Sequence, residues 1–369
     1  MRLFLVCSPG TEKLALAEAV RLLPGATITL AEGGVAVEGD ASLVARSNLW
    51  LRLPTRVLLR LGDVEARDFG KLERGLATLP FSSLLPRNAA IAIRASAQRS
   101  RLYHTGALAE RVALAAQKVI GATLGDDDTA FSLLLRGVHD RFTLSLDTSG
   151  ELLHRRGWRT EGGEAPLRET LAAALLAIAN HRPGEPLCDP MCGSGTLVIE
   201  AASAALGRAP GIARSFAFER FAGFDQKAWT DLRDEARARE RRDAPVFVAA
   251  DADPEQLAVA RRNAERASVQ DRIEFREAEL RTLTPTQDRG LLVANPPYGK
   301  RIGARGGQPL RAVYDELGRA LGGAFARWRA AVVVEDRRLL PALKMPAQDA
   351  QGLSNGGLRV WVGQKPATR

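Results

Sequence analysis

The residues best suited to chemistry lie in the segment 291–299, where an amide, two prolines and an aromatic ring follow a short apolar run. Prolines restrict the backbone, so the amide oxygen of Asn295 and the carbonyl oxygen of Pro296 can form a rigid pair of acceptors. Such a pair can accept both hydrogens of an exocyclic amine, while Tyr298 offers a face for stacking a planar base. These hydrogen bonds turn the lone pair of a weakly nucleophilic amine toward an electrophile. We therefore assign the catalytic role to Asn295, Pro296, Pro297 and Tyr298.

A glycine-rich loop at 189–196 is the second candidate site. Asp189 ends an apolar strand, and Gly193 and Gly195 lead into an apolar helix. Glycines let a backbone approach a ligand closely and leave amides exposed at the start of a helix. No third glycine follows in register and no Gly-Lys-Ser/Thr is present, which argues against a dinucleotide fingerprint and against a Walker loop. An acid in the loop would repel a pyrophosphate but could hold a cationic or amine-bearing ligand.

A second acid, Asp251, ends the next apolar strand and can accept both hydroxyls of a ribose. We assign a different role to Asp253, which with Pro254 and Gln256 has the pattern of a helix N-cap, a first-turn proline and a capping box. Asp251 lies more than fifty residues after the glycines, whereas NAD-binding folds place their ribose acid about 20 residues on. This spacing disfavours an NAD oxidoreductase and indicates an insertion at about 207–244.

The elements that must position these residues alternate between strand and helix from residue 166 onward. This alternation predicts a parallel, doubly wound α/β sheet. Its predicted strands are 186–189, 246–250, 272–277, 291–294 and 331–335; its predicted helices are 195–206, 254–267 and 309–327. A hairpin at 352–363 should add antiparallel strands. The first 150 residues predict a small α+β arrangement with helices at about 68–79 and 105–120, and 150–165 is a connector.

Composition excludes several classes of protein. The 369 residues are 46% hydrophobic, which is too apolar for intrinsic disorder and long enough for two or three domains. No apolar run approaches the ~20 residues of a membrane span, and the apolar start is too short for a signal peptide. Three cysteines predict a reducing compartment, and we expect the cytoplasm. Cys188 and Cys192 lack a matching ligand pair, so we predict packing roles and no metal. The net charge of +9 favours a polyanionic partner.

The loops at 189–196 and 295–299 together resemble those of class I S-adenosylmethionine-dependent amino-methyltransferases. The wider match is to THUMP-containing RNA methyltransferases, in particular the RlmL-type 23S rRNA (guanine-N2)-methyltransferases. It rests also on the segments 153–159 and 165–174 and on 209–211 and Trp229 within the insertion. The resemblance implies a Rossmann-like class I methyltransferase domain preceded by a small α+β ferredoxin-like/THUMP module. The implied ranges are a ferredoxin-like segment at 1–50, a THUMP RNA-binding domain at 51–152, a linker at 153–165 and the methyltransferase domain at 166–369.

The resemblance also implies roles for individual residues around the cofactor S-adenosylmethionine. The loop acid and glycines would surround its methionine portion, Asp251 would take the ribose, and 166–170 would help to enclose it. The family usually has Asp near the adenine amine, but this sequence offers Glu279. The implied cofactor-binding residues are Pro166, Thr170, Asp189, Gly193, Gly195, Thr196, Asp251, Glu279 and Asn295.

Six arginines are the predicted RNA contacts: Arg94, Arg99, Arg101, Arg155, Arg156 and Arg159. The first three lie near Tyr103 and His104, and the other three lie in the connector beside Trp158. The predicted function is methyl transfer to the exocyclic N2 amine of an extruded guanine, with 23S rRNA favoured and tRNA as the alternative substrate. An N6-adenine DNA methylase and a non-catalytic RNA-binding assembly factor are further alternatives.

Overall fold

Two β-sheets, one of eight strands and one of seven, organise the chain in a computed structural model. The structure describes residues 1–126, 129–160, 167–296 and 310–367. The first unit comprises Met1–Val6, Leu16–Leu153 and Ser215–Arg233; the second comprises Cys7–Ala15, His154–Arg214 and Asp234–Arg369. None of the helices formed by the described residues has the length and apolar content needed to cross a membrane.

The eight-stranded sheet belongs to the first unit. Its strands are β1 (Arg2–Val6), β2 (Thr27–Ala31), β3 (Gly34–Glu38), β4 (Arg56–Glu65), β5 (Ala90–Gln98), β6 (Thr123–Leu124), β7 (Phe131–Val138) and β8 (Arg141–Asp147). They lie in the order β2-β3-β1-β4-β8-β7-β5-β6, and β5 pairs in parallel with β6 and β7. One sheet therefore includes strands from both segments that the sequence analysis separated at residue 50.

Four helices occur along this part of the chain: α1 (Glu12–Leu22), α2 (Ser42–Trp50), α3 (Phe69–Leu76) and α4 (Thr105–Ile120). The buried residues of α4 recur every three or four positions, as in Leu108, Val112 and Ala116, which is the spacing of an amphipathic helix. The helix ends at Gly121, whose φ of +71° is the left-handed cap that glycine favours. The predicted α+β arrangement is confirmed, although α2 was not predicted.

The seven-stranded sheet belongs to the second unit. Its strands are β9 (Leu187–Asp189), β10 (Phe247–Asp251), β11 (Ile273–Glu277), β12 (Leu291–Ala294), β13 (Arg329–Val334), β14 (Gln351–Asn355) and β15 (Leu358–Lys365). They lie in the order β11-β10-β9-β12-β13-β15-β14, with the first five parallel and the last two antiparallel. The predicted doubly wound sheet and the C-terminal hairpin are confirmed.

In the rest of the chain the described residues form the helices α5 (Glu169–Ile178), α6 (Thr196–Ala205), α7 (Gln226–Ala238), α8 (Pro254–Arg266) and α9 (Leu310–Gly322). Helix α9 ends five residues before its predicted end, because the chain reaches the glycine pair 322–323 there. The predicted N-cap and first-turn proline of α8 are confirmed: Asp253 accepts the N–H groups of Glu255 and Gln256, and Pro254 is the first helical residue. The predicted capping box is not formed, because the N–H of Asp253 donates to Oδ1 of Asp251 and not to Gln256.

The central strands β9, β10, β12 and β13 of the second sheet are buried on both faces, as a parallel sheet covered by helices requires. Every residue of β10 and β12 is buried. Cys188 and Cys192 are buried free thiols, which confirms their predicted packing role, and burial raises the pKa of Cys188. Within the described ranges, no group of three His, Cys, Asp or Glu side chains could hold a metal ion.

Strand order places a switch point at β9. The chain runs from β9 through β10 to β11 on one side and returns as β12 on the other side. Ligands of open α/β sheets bind at the carboxyl ends of the strands beside such a point. Asp189, Asp251 and Asn295 follow or end three of these strands, so all three lie at the carboxyl edge of the sheet.

Candidate functional site

Asp251 holds the glycine-rich loop against the tip of β10. Its Oδ2 accepts the N–H of Gly193 at 2.9 Å and its Oδ1 accepts the N–H of Asp253 at 3.1 Å. The N–H of Cys192 donates to the carbonyl of Ala250 at 2.9 Å. The carboxylate predicted to bind ribose therefore contacts the loop predicted to hold the methionine portion of the cofactor.

Glycine is required at the start of α6. Gly195 has a φ of +83°, and a Cβ added there would lie 3.1 Å from the Cβ of Ala260 and 3.2 Å from Cδ1 of Ile199. Asn263 on α8 donates to the carbonyl of Ser194 at 3.1 Å. These contacts fix the loop from both sides, which gives its backbone amides a defined direction.

Asp189 and Asn295 lie on adjacent strands. Leu292 of β12 pairs with Cys188 of β9, so Asn295 lies two residues further along than Asp189. With a rise of ~3.3 Å per residue and ~4.8 Å between strands, their Cα atoms are roughly 8 Å apart. This separation fits the prediction that one loop holds a cofactor while the next presents an acceptor to it.

Several buried side-chain atoms have no hydrogen-bond partner among the residues that the structure describes, and three of them are oxygens near this site. They are Oδ1 of Asn295, Oγ1 of Thr170 and Oε2 of Glu169. Buried polar atoms in folded proteins are almost always hydrogen-bonded, so an acceptor of this kind at the carboxyl edge of the sheet is open to a donor from a ligand. The amide oxygen of Asn295 is the acceptor that the sequence assigned to an exocyclic amine, and Thr170 is a predicted cofactor residue.

Arg159 ties the first turns of two helices to the connector. Its guanidinium donates to Oγ1 of Thr196 at 2.6 Å and to the carbonyl of Leu167 at 3.0 Å. Its Nε also lies 3.2 Å from Oε1 of Glu169, with the two side chains 14% and 2% exposed. Burial raises the pKa of Glu169, and the charge of Arg159 opposes that rise. Arg159 is thus an interior residue beside the glycine-rich loop.

A second interior ion pair joins Arg156 to Glu200 at 3.4 Å, with side chains 3% and 2% exposed. The half-buried imidazole of His154 lies in the same connector. Its burial and the charges of four arginines lower its pKa from 6.5 to about 4, so it is neutral at physiological pH.

These two ion pairs correct part of the predicted RNA surface. Arg156 and Arg159 point inward and their charges are matched by acids, so neither is available to a phosphate. Arg155, which directly precedes Arg156, is exposed. A count of arginines in this segment does not reveal which of them point inward.

The sequence analysis missed Glu169 and Glu200, which complete these pairs. A usable signal was present, because each is the single acid in an otherwise apolar helix. Acidic side chains are almost never fully buried unless they are paired. A lone acid on such a helix therefore predicts a basic partner inside the protein.

The other predicted residues lie as follows. Pro296 is buried; Pro166, Pro297 and Tyr298 lie outside the described residues. Glu279 follows β11 and forms an exposed ion pair with Arg281. The N–H of the preceding Ala278 donates to the carbonyl of Asp251 at 3.1 Å, so Glu279 lies close to the predicted ribose acid.

The predicted RNA contacts of the first unit are solvent-exposed. Arg94 lies on β5, and Arg99 and Arg101 lie in the loop that follows it. The N–H of Arg101 donates to Oδ1 of Asp140 at 2.6 Å, so this bond uses the backbone and not the guanidinium.

Comparison with known proteins gives two family matches. A model described as the RMKL-like methyltransferase domain matches residues 156–360, and one described as the RlmL ferredoxin-like domain matches residues 2–58. The ribosomal RNA large subunit methyltransferase K/L of Photobacterium profundum is 35% identical over 368 residues. That alignment covers 96% of this chain and 51% of the relative, so the chain spans about half the length of that curated relative.

Two solved structures match along the whole chain. A possible methylase from Clostridium difficile 630 is 31% identical with a TM-score of 0.89, covering 100% of this chain and 98% of that one. SMU.472, complexed with SAH, is 28% identical with a TM-score of 0.87 and the same coverage. A domain match over more than half of the chain, together with a relative of comparable length above 30% identity, shows that the chain belongs to the RMKL-like methyltransferase family and carries an RlmL ferredoxin-like domain.

Proposed function

We propose that this protein transfers the methyl group of S-adenosylmethionine to the exocyclic N2 amine of a guanine in 23S rRNA. The observation that carries this proposal is the buried amide oxygen of Asn295, which has no hydrogen-bond partner among the described residues. It lies at the carboxyl edge of the sheet, one strand away from the glycine-rich loop. An amine hydrogen is the donor that this acceptor lacks.

The residues around the loop fit the cofactor. Asp251 and the oxygen of Thr170 offer acceptors for the hydroxyls of a ribose and for the ammonium group of an amino acid portion. When bound, S-adenosylmethionine supplies a methyl carbon attached to a positively charged sulfur. The solved relative SMU.472 is complexed with SAH, which supports this choice of cofactor.

Asn295 and Pro296 would orient the target amine. Accepting a hydrogen bond from each N–H draws the hydrogens toward the protein and aims the nitrogen lone pair at the cofactor side of the site. Orientation of this kind needs no strong base, because a proton leaves readily once nitrogen bears positive charge. Tyr298 would stack on the base, and Pro297 would restrict the backbone between the two acceptors and the ring.

RNA is the proposed substrate because the K/L relative is named for ribosomal RNA of the large subunit. In the first unit, Arg94, Arg99 and Arg101 would contact phosphates, within the proposed THUMP domain at 51–152. Arg155 is the remaining connector arginine exposed for the same purpose. Such contacts add affinity but little sequence preference.

The test is substitution of Asn295 by Ala. Methyl transfer to a 23S rRNA transcript should fall by at least about a hundredfold, the usual cost of removing a preorganised polar group. S-adenosylmethionine affinity, measured by calorimetry, should change by less than about threefold, since the side chain acts on the amine. Asn180→Gly is the control, because Asn180 is exposed and its φ of +48° suits glycine. Retained turnover in Asn295→Ala would refute the assigned role.

The product identifies the substrate. Nucleoside mass spectrometry after reaction with 23S and tRNA transcripts should show N2-methylguanosine in 23S rRNA. The same nucleoside in tRNA alone would keep the chemistry and change the RNA. A DNA duplex serves as the third substrate, and N6-methyladenine in that DNA would contradict the proposal.

A further inference from the structure

Tyr103 presents an aromatic ring to solvent in the loop before α4. Its side chain is 70% exposed, whereas the preceding Leu102 is buried. The rings of Tyr103 and His104 stack with centroids 5.4 Å apart and planes 28° from parallel. Two stacked rings form a flat surface whose outer face is open to a ligand.

The loop that carries this ring is held in place by Asp140. Its Oδ1 accepts the N–H of Arg101 at 2.6 Å, and its Oδ2 accepts Nε of Arg67 at 3.0 Å. Oγ of Ser100 accepts the N–H of Asp140 at 3.0 Å. These bonds, the Arg101 N–H first, lower the pKa of Asp140, so the carboxylate stays charged and the contacts persist at neutral pH. A surface fixed before binding loses less entropy when a ligand arrives.

Positive charge surrounds the ring on the same loop. Arg99 and Arg101 are exposed, and Arg99 has a left-handed φ of +48° that bends the chain just before the aromatic pair. An aromatic face flanked by guanidinium groups is typical of single-stranded RNA recognition, where bases stack and phosphates pair with arginine. A protein hot spot would instead place the ring in a desolvated apolar pocket.

We propose that Tyr103 and His104 form a stacking platform for an unpaired RNA base, with Arg99 and Arg101 on the adjoining phosphates. This second proposal rests on the proposed function in one respect, which is that RNA is the substrate. It assigns to the first unit a preference for unpaired nucleotides, separate from the chemistry at Asn295.

The probe is a short fluorescent single-stranded RNA, with a duplex of the same length for comparison, titrated by anisotropy against the full chain. Tyr103→Ala should weaken single-strand binding about tenfold, which corresponds to about 1.4 kcal/mol and lies within the range of base–aromatic stacking. Tyr103→Phe should bind within about twofold of the wild type. Leu30→Ala is the matched control, since Leu30 is an exposed apolar residue on β2 at the other end of the sheet order.

Salt dependence separates stacking from phosphate contact. Tyr103→Ala should leave the slope of log affinity against log salt unchanged, whereas Arg99→Gln or Arg101→Gln should reduce it by about one. A 2-aminopurine base in the RNA should be quenched by the wild type and not by Tyr103→Ala.

Each outcome separates the two proposals. If the wild type binds RNA and Tyr103→Ala binds equally well, the platform is refuted and the proposed function stands. Equal loss for Tyr103→Phe and Tyr103→Ala would also refute stacking, because Phe keeps the ring. If the wild type binds neither RNA, the platform and the RNA substrate both fail.

Discussion

Replacing Arg159 by Met should destabilise the protein strongly, because it leaves a buried acid without its counter-charge. Arg159 and Glu169 are 14% and 2% exposed at the side chain. Removing one partner of a buried pair costs about 3–5 kcal/mol. For a domain of roughly 200 residues each kcal/mol shifts the Tm by about 2–4 °C, so we expect the Tm to fall by about 6–20 °C.

The loss should depend on pH in a definite direction. Burial raises the pKa of Glu169, and Arg159 opposes this rise, so the Met variant should raise it further. Protonation then removes the buried charge from the folded state. The destabilisation is therefore largest above the raised pKa and shrinks as the pH falls below it. Unfolding by urea at about pH 8 and about pH 5 should show the larger loss at the higher pH.

The control is the double variant Arg159→Met with Glu169→Gln. It removes both charges and should recover at least half of the lost unfolding free energy. Because Arg159 also donates to Thr196 at the start of α6, cofactor affinity should remain reduced in the double variant. A double variant no more stable than Arg159→Met, or a single variant as stable as the wild type, would refute the reasoning.

Three further predictions concern the same unit. Asp251→Asn should weaken S-adenosylmethionine binding roughly ten- to a hundredfold, the equivalent of about 1.5–3 kcal/mol for a hydrogen bond to a charged group. The control is Asp253→Asn, which keeps a good N-cap; its S-adenosylmethionine affinity, measured by calorimetry, should stay within about threefold of the wild type. Gly195→Ala should lower both Tm and cofactor affinity because of its positive φ and its close neighbours, while Gly184→Ala, with open space around it, should change neither. The pKa of His154 is lowered to about 4, so its contribution to stability is present above the ordinary pKa of 6.5 and is lost as the pH falls toward 4. His154→Gln should therefore flatten the dependence of Tm on pH across this interval in thermal melts. An unchanged dependence of Tm on pH would contradict the lowered pKa of His154.

Much of the second sheet could be predicted because its strands are short apolar runs with clear ends. The prediction for β12 was correct to the residue, since four apolar residues lie between Gly290 and Asn295. Helix α5 was not predicted because nearly all its residues are apolar and buried, which leaves no polar face to reveal the helical period. Helix α2 was missed for the opposite reason, since buried Ser47 and Asn48 interrupt its apolar face.

The candidate site could be located from the sequence because parallel strands bring their carboxyl ends to one edge. That rule alone placed Asp189, Asp251 and Asn295 together. The directions of Arg156 and Arg159 could not be predicted in this way. Their partners lie on later helices: Glu200 of α6 lies 44 residues after Arg156, and Glu169 of α5 pairs with Arg159. Only tertiary packing brings each pair together.

Strand β1 lies between β3 and β4, and the ferredoxin-like match ends at residue 58, inside β4. The recognised module and the folding unit therefore have different boundaries. A shortened protein beginning after residue 58 would lose three residues from the start of β4 and all of its pairing with β1, including Phe4 against Leu58. The remainder of β4 would become an unprotected sheet border, which invites self-association. Transplanting or deleting this module is thus expected to require residues 1–153 together with Ser215–Arg233, not the stretch that sequence similarity marks out.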